Sequence, residues 1–281
     1  MKITFWGTRG SIASPGKDTV IYGGNTCCVE IVLSTGRTII VDAGTGIRPL
    51  GDALLARTKP LDLFLLMTHI HWDHILGFPF FGPIFQESTR IVVAGFSKGI
   101  EGLRHLFGTE HLDGTWPLRF EDLKAQIELN QQLRGGQMMI DDTLVRSHRL
   151  QHPQGGVGFR FDTGSGTFVF LTDNELRDDG WAGTCFKDFV TFCRGADLLI
   201  HDCQYLPEEM DIRRGWGHSD TNSVAALAIE AEVKRLVLFH HDPWRKDREV
   251  EVVVERCKEI LDKAGAPIHV EGAREGSTLK V

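Results

Sequence analysis

A strand-like apolar run, Leu61-Asp-Leu-Phe-Leu-Leu-Met67, leads straight into Thr68-His69-Ile70-His71-Trp72-Asp73-His74. No other junction constrains the fold as much. A strand this apolar must be covered on both faces, yet four side chains with metal-ligand chemistry follow it and need an opening. Short apolar, β-branched runs at Ile3–Trp6, Cys27–Leu33, Thr38–Val41, Arg90–Val93 and Ile127–Leu129 supply strands around it. More follow at Thr143–Arg146, Gly158–Phe161, Phe168–Leu171, Leu198–Ile200, Leu236–Phe239 and Thr278–Val281. Their lengths and the turn-forming residues beside them favour strands over helices.

Helical spacing is clearest at Val250, Val253, Val254, Cys257, Ile260, Leu261 and Ala264, ended by Gly265 and Pro267. A second helix is expected over Val224–Ala231 after a polar start at Ser219, with others at Ile47–Thr58, Ser97–Phe107 and Lys187–Arg194. Strand blocks flanked by helices predict sheets packed face to face with helices outside. No linker divides the chain, so one domain over 1–281 is expected, with a surface insertion at 105–124. The run Phe78–Phe85 reads as core packing or as an apolar wall beside a pocket.

A chain of 281 residues can bury about three quarters of its unfolded surface, so it needs neither disulfides nor a structural metal to fold. A bound metal would therefore serve chemistry. The six cysteines form no CxxC pair and read as reduced, buried thiols. No apolar run reaches the ~18 residues of a membrane span and no leader pattern precedes Gly7, so a soluble, cytoplasmic protein without membrane partners is expected. The net charge of −7 counts against a nucleic-acid surface, whose footprint is basic.

His69 and His71 project to one side of an extended chain, and Asp73 and His74 fall where the next helix begins. One ion could not take all four from so short a span, whereas two adjacent ions could. Imidazole with carboxylate suits Zn²⁺, Mn²⁺ or Fe²⁺. Two such ions ~3.5–4 Å apart can share a hydroxide and clamp both oxygens of a displacement at phosphorus.

The Thr68–His74 segment resembles the signature of the metallo-β-lactamase superfamily. Asp42, His152, Asp173 and His240 agree with its other motifs in order along nearly the whole chain. The resemblance implies an α+β fold, a four-layer αββα sandwich with a dinuclear site at the edge of the two sheets. It implies that His69, His71 and His152 hold one divalent ion and Asp73, His74 and His240 the other, with Asp173 bridging. Asp42 would accept a hydrogen bond from a ligand histidine and fix its tautomer; a turn-capping role is the plainer alternative. Strand alternation does not choose between His240 and His241, and Glu175, Asp178 and Asp179 are rivals to Asp173. The family order favours His240.

Gly215-Trp-Gly-His218-Ser219-Asp220 resembles the Gly-His-Ser motif of the tRNA 3′-processing nucleases and related phosphodiesterases. That likeness implies His218 as general acid, partnered by Asp202 in place of those nucleases' Glu. His218, Asp202 and Asp73 are thus the candidate catalytic side chains. Those nucleases carry an arm between the third and fourth motifs, for which Pro153–Thr172 leaves no room. Gly7–Ile12 and Tyr22–Thr26 look like the compact bacterial branch, as phosphate-binding backbone nests or as plain turns, with Arg9 a candidate phosphate contact.

The expected function is hydrolysis of a small, cyclic or linear phosphodiester through a metal-bridging hydroxide, with nucleic acid an unfavoured substrate and a homodimer compatible with the family. A thioester or lactone hydrolase, or a tRNA 3′-processing endonuclease, is the alternative.

Overall fold

The computed structural model describes residues 1–57, 60–107 and 117–281. The chain runs β1 (Lys2–Gly7), β2 (Cys28–Val32), β3 (Thr38–Val41), α1 (Ile47–Arg57), β4 (Leu61–Met67), α2 (Trp72–Ile75), β5 (Thr89–Gly95), α3 (Gly99–Arg104) and β6 (Gln126–Leu129). It continues through β7 (Gln137–Ile140), β8 (Thr143–Arg149), β9 (Val157–Asp162), β10 (Thr167–Leu171), α4 (Phe186–Cys193) and β11 (Leu198–Asp202). It closes with α5 (Met210–Arg213), α6 (Thr221–Glu230), β12 (Arg235–Phe239), α7 (Asp247–Lys263), β13 (His269–Gly272) and β14 (Thr278–Lys280).

Among the described residues the strands form two seven-stranded sheets, ordered β14-β1-β2-β3-β4-β5-β6 and β13-β12-β11-β10-β9-β8-β7. Each combines an antiparallel part with a parallel part. In the first sheet, β14, β1, β2 and β3 pair antiparallel, then β3 to β6 run parallel. In the second, β7 to β10 alternate, then β10 to β13 run parallel. These directions make β1, β3 and β4 end on one edge of their sheet, and β8, β10, β11 and β12 on one edge of theirs.

Side-chain alternation separates the layers. Between the sheets lie Val29, Ile31, Ile39 and Val41 from one and Phe159, Phe161, Phe168, Phe170, Ile200 and Phe239 from the other. The opposite faces of β11 and β12 send Leu199, Leu236 and Leu238 outward against α4, α6 and α7. On the other side, Ile40, Leu63, Leu65 and Ile91 pack against Ile47, Leu50 and Leu54 of α1 and Ile100 and Leu103 of α3. The order helix, sheet, sheet, helix is the expected four-layer sandwich. Each buried Val, Leu or Phe contributes about 1.5–3 kcal/mol.

The long α7 shows how the pattern is read by the fold. Val250, Val253, Val254, Cys257 and Leu261 share its buried face, and the Glu249 carboxylate accepts the Lys246 backbone N–H at 2.7 Å, occupying a donor at the helix start. In α6 the Asp220 carboxylate caps the helix, accepting from the backbone N–H groups of Asn222 and Ser223.

Two strands, β7 and β13, escape the sequence reading. Each is short, lies at a sheet edge and buries only alternate residues, Met138 and Ile140 in one and Val270 and Gly272 in the other. The helix expected over Ser97–Phe107 is shorter, Gly99–Arg104. Of the expected 105–124 insertion, residues 108–116 lie outside the described residues, as does Thr58 at the expected end of α1; Phe107 and Phe120, both within the expected insertion, pack edge-on against each other at 5.6 Å. The Phe78–Phe85 run divides, with Phe78, Phe81 and Ile84 in the outer core of the first sheet and Phe80 and Phe85 exposed.

Phe161 and Phe168 stack in the sandwich interior at 5.3 Å and 11°. Phe161→Ala is expected to lower the unfolding free energy by about 3–5 kcal/mol, read as a fall in the urea midpoint at unchanged slope.

Candidate metal centre

Strand ends deliver the site. Asp42 follows β3, His69 follows β4, His152 follows β8, Asp173 follows β10 and His240 follows β12. Asp42, Asp173 and His240 have φ of 61°, 54° and 57°, a left-handed conformation that Asp and His adopt more readily than most residues. The positive φ turns each side chain sharply out of its strand. Such conformations cost on the order of 1–3 kcal/mol each and persist where surrounding structure holds them.

Two groups of ligand-type atoms result. His69, His71, His152 and Asp173 have donor atoms within 4.8 Å of one another, as do Cys27, Asp73, His74 and His240. The Asp173 carboxylate lies between them. Its Oδ1 is 3.2 Å from His74 Nε2 and 3.1 Å from His240 Nε2, and its Oδ2 is 3.6 Å from His69 Nε2 and 3.8 Å from His152 Nε2. Asp73 Oδ2 lies 3.3 Å from His74 Nε2 and 3.1 Å from His240 Nε2. His69 Nε2 and His74 Nε2 are buried without a hydrogen-bond partner. Buried polar atoms are normally satisfied, so two orphaned imidazole nitrogens facing carboxylates fit divalent metal ions. The donor set, imidazole with carboxylate, suits Zn²⁺, Mn²⁺ or Fe²⁺ alike. The metal-free electrostatics agree. Although burial opposes their charged forms, the neighbouring His74 and His240 hold Asp73 and Asp173 well below the usual carboxylate range.

The atoms behind the ligands orient them. Asp42, fully buried, accepts from the Thr68 backbone N–H at 2.8 Å, from Thr68 Oγ1 at 2.7 Å and from His74 Nδ1 at 2.8 Å. One carboxylate thus ties β3 to β4 and presents His74 Nε2 to the centre. His152 Nδ1 donates to the Gly217 carbonyl at 3.1 Å. Gly217 has φ +89°, and a Cβ there would come within 2.1 Å of His152 Nδ1; only glycine fits. Glu175 holds that loop by accepting the backbone N–H groups of Gly215 and Gly217.

His218 sits against the same centre. Its ring stacks on His240 at 4.8 Å, and its Nδ1 is 3.2 Å from Asp202 Oδ2. Asp202 also accepts the backbone N–H groups of Asn174 and Ser219. The shorter Asp therefore reaches His218. Burial raises the Asp202 carboxyl to about 7 and lowers the His218 imidazole to about 4. A cavity of about 450 Å³ opens over this end of the sandwich, lined among others by His71, Trp72, Asp173, His218 and His240.

Several competing assignments separate. His240 faces the centre; His241 turns away, donating Nε2 to the Ala273 carbonyl at 2.9 Å. Glu175 serves the Gly215–Gly217 loop, Asp179 pairs with Arg177 on the surface, and Asp178 is exposed. Arg9 is no phosphate contact. It is fully buried and donates to the carbonyls of Gly23, Asp242 and Arg245. Nor do the Tyr22–Thr26 glycines cradle a phosphate, since the Gly24 and Asn25 N–H groups bind the Glu275 carboxylate. In the Gly7–Ile12 stretch, Gly10 leaves room for the His240 ring and the Ser11 N–H donates to Asp73 Oδ2 at 2.7 Å.

Three residues at the centre lie beyond the sequence reading. Cys27 has no spacing relation to the histidines. Ser11 and Gln154, which also line the cavity, have φ of 63° and 66°, a conformation that nothing in their identity signals. Their neighbours Gly10 and Gly155 were the available hint.

Comparison with known proteins bears on the family and the fold. The model of the β-lactamase superfamily domain matches residues 37–241. A relative named ribonuclease Z, from Exiguobacterium sp., is 26% identical, with 91% of this chain and 93% of that protein aligned. Among solved structures, the metallo-β-lactamase fold protein YhfI from Bacillus subtilis superposes with a TM-score of 0.71 at 19% identity, covering 99% of this chain and 98% of that one. A diphosphatase from the PhnP family gives 0.66 at 18% identity, covering 100% and 97%.

Asp42→Asn replaces an acceptor with an amide that cannot satisfy both Thr68 and His74. Metal affinity should fall about 10–100-fold with the fold retained, as measured by competition with a chromophoric chelator. His241 gives a pH prediction. Burial lowers its pKa from 6.5 to about 3, so its neutral form stabilises the fold above about pH 6.5. That contribution is lost as pH falls toward about 3, at up to about 1.4 kcal/mol per pH unit. Urea titrations of His241→Gln between those limits should show a shallower decline than the parent chain.

Proposed function

We propose that this chain, which belongs to the metallo-β-lactamase superfamily, is a metal-dependent hydrolase that cleaves a small phosphodiester, with residues 1–281 forming one domain. The observation that carries this reading is His218, held by Asp202 at 3.2 Å and lining the same cavity as Asp173 and His240. Cleavage of a phosphodiester needs both charge stabilisation and a proton for the departing alkoxide, and this site places groups for each.

His69, His71 and His152 would hold one divalent ion and Asp73, His74 and His240 the other, with Asp173 between them. When bound, the ions supply Lewis-acid charge to phosphoryl oxygens and lower the pKa of water. The protein's own part is orientation and proton transfer. Asp42 and the Gly217 carbonyl fix the rings of His74 and His152. Asp202 accepts from His218 Nδ1, leaving Nε2 available to the leaving oxygen. Burial disfavours imidazolium at His218; the negative charge of a bound phosphodiester opposes that shift and favours uptake of the proton to be delivered.

A second reading, cleavage of RNA, is favoured by the ribonuclease Z relative, which aligns over 91% of this chain. The expectation against nucleic acid, drawn from the −7 charge and the missing arm, is not supported by that likeness. In this chain β9 and β10 form a tight hairpin between His152 and Asp173, so any RNA would be gripped elsewhere. No helix among the described residues is long and apolar enough to cross a membrane.

Reconstituted with Mn²⁺ or Zn²⁺, the protein should hydrolyse bis(p-nitrophenyl) phosphate and members of a cyclic nucleotide panel, and His69→Ala should abolish the activity. No turnover above that variant would sink the phosphodiesterase reading. Cleavage of precursor tRNA but not the small diesters would select the RNA reading, and turnover of thioesters or lactones alone a different hydrolase. His218→Ala should cost about 10²–10⁴ in rate on diesters with alkyl leaving groups and much less on p-nitrophenyl esters, whose leaving group needs no proton. Equal losses on both would argue that His218 is only structural.

A further inference from the structure

Cys27 lies just before β2, fully buried, and its sulfur falls within 4.8 Å of donor atoms of Asp73, His74 and His240. The neighbouring Cys28 points to the opposite face, into the outer core of the first sheet. Among the described residues, Cys27 is the cysteine that joins a ligand group. A buried thiol alone is ordinary packing. Here a second observation bears on it: His74 Nε2, in the same group, is buried and has no hydrogen-bond partner. Cys27 Sγ donates only weakly to the Arg9 carbonyl oxygen, at 3.4 Å, and also lies beside the His240 imidazole, so the sulfur faces the same donor atoms that would hold the ion.

We propose that Cys27 is a sulfur ligand to the ion held by Asp73, His74 and His240. On binding, the thiol proton leaves to solvent and the sulfur bonds the metal. The two positions then differ in kind. The His69–His71–His152 position offers nitrogen and oxygen, which Mn²⁺, Fe²⁺ and Zn²⁺ all accept. The Cys27 position adds soft sulfur and selects a thiophilic ion such as Zn²⁺, Co²⁺ or Cd²⁺ over Mn²⁺. A mixed pair of metals is the natural occupancy. The proposal rests on the two-metal reading above, and one experiment separates their failures.

The test is a Co²⁺ titration of the full chain, following bound metal by equilibrium dialysis and the near-ultraviolet sulfur-to-cobalt charge-transfer band. The expected result is two bound ions, with the band growing in with one of them. Cys27→Ser and Cys27→Ala should both lose the band while retaining the visible absorption of cobalt bound by nitrogen and oxygen, and Mn²⁺ should then compete more effectively for that position. Two ions bound with no charge-transfer band in the parent chain would overturn the sulfur ligand and leave the dinuclear reading standing. That result needs no variant to fold. One ion with a Cys27-dependent band would do the reverse. A band that survives in both variants would also overturn the proposal.

Discussion

Burial of two sheets against each other is the constraint on which the site depends. The phenylalanine-rich interior, with Phe159, Phe161, Phe168 and Phe170 facing Val29, Ile31 and Val41, leaves each sheet one way to present its strand ends. Because β1, β3 and β4 run in one direction, and β8, β10, β11 and β12 likewise, their carboxyl ends gather at an edge where the two sheets meet. Residues remote in sequence, such as Asp73 and His240, come into contact there. The hydrophobic effect that stabilises the sandwich is non-directional; strand direction converts it into a site.

At that edge the physical problem reverses. Asp42, Asp73, Asp173 and Asp202 are buried carboxylates, and burying charge is costly without partners. Each has them. Asp42 has Thr68 and His74, Asp202 has His218 and backbone N–H groups, and Asp73 and Asp173 face the imidazoles. Left-handed backbone at Asp42, Asp173 and His240 is a further strain held by the rigid sheets. The centre thus concentrates charge and strain that the apolar layers behind it offset. Divalent ions would relieve the same problem by engaging the orphaned nitrogens of His69 and His74.

Much of this was legible in the chain. The run of His69, His71, Asp73 and His74 after a buried strand marked the site, because ligands so closely spaced must share a location whatever the fold does. The strands at Thr38–Val41 and Leu61–Met67 have the boundaries their apolar runs suggest. Weakly patterned edge strands were not legible, since β7 and β13 need only two inward residues each. Arg9 misled for a related reason. Sequence shows an arginine among glycines, but not that it is buried with its Nε and Nη1 on the main-chain carbonyls of Gly23, Asp242 and Arg245.

By itself the sequence determined the layered α+β class and the ligand-rich segment after β4, because periodicity and short-range spacing are local properties. Tertiary structure shows His240, which the family order favoured, turned inward and His241 turned away; it alone decided that Glu175 holds a loop and that Cys27 joins the second ligand group. Those outcomes hang on backbone dihedrals at strand ends and on contacts across the sheet edge. Residue identity does not encode them until the two sheets have packed.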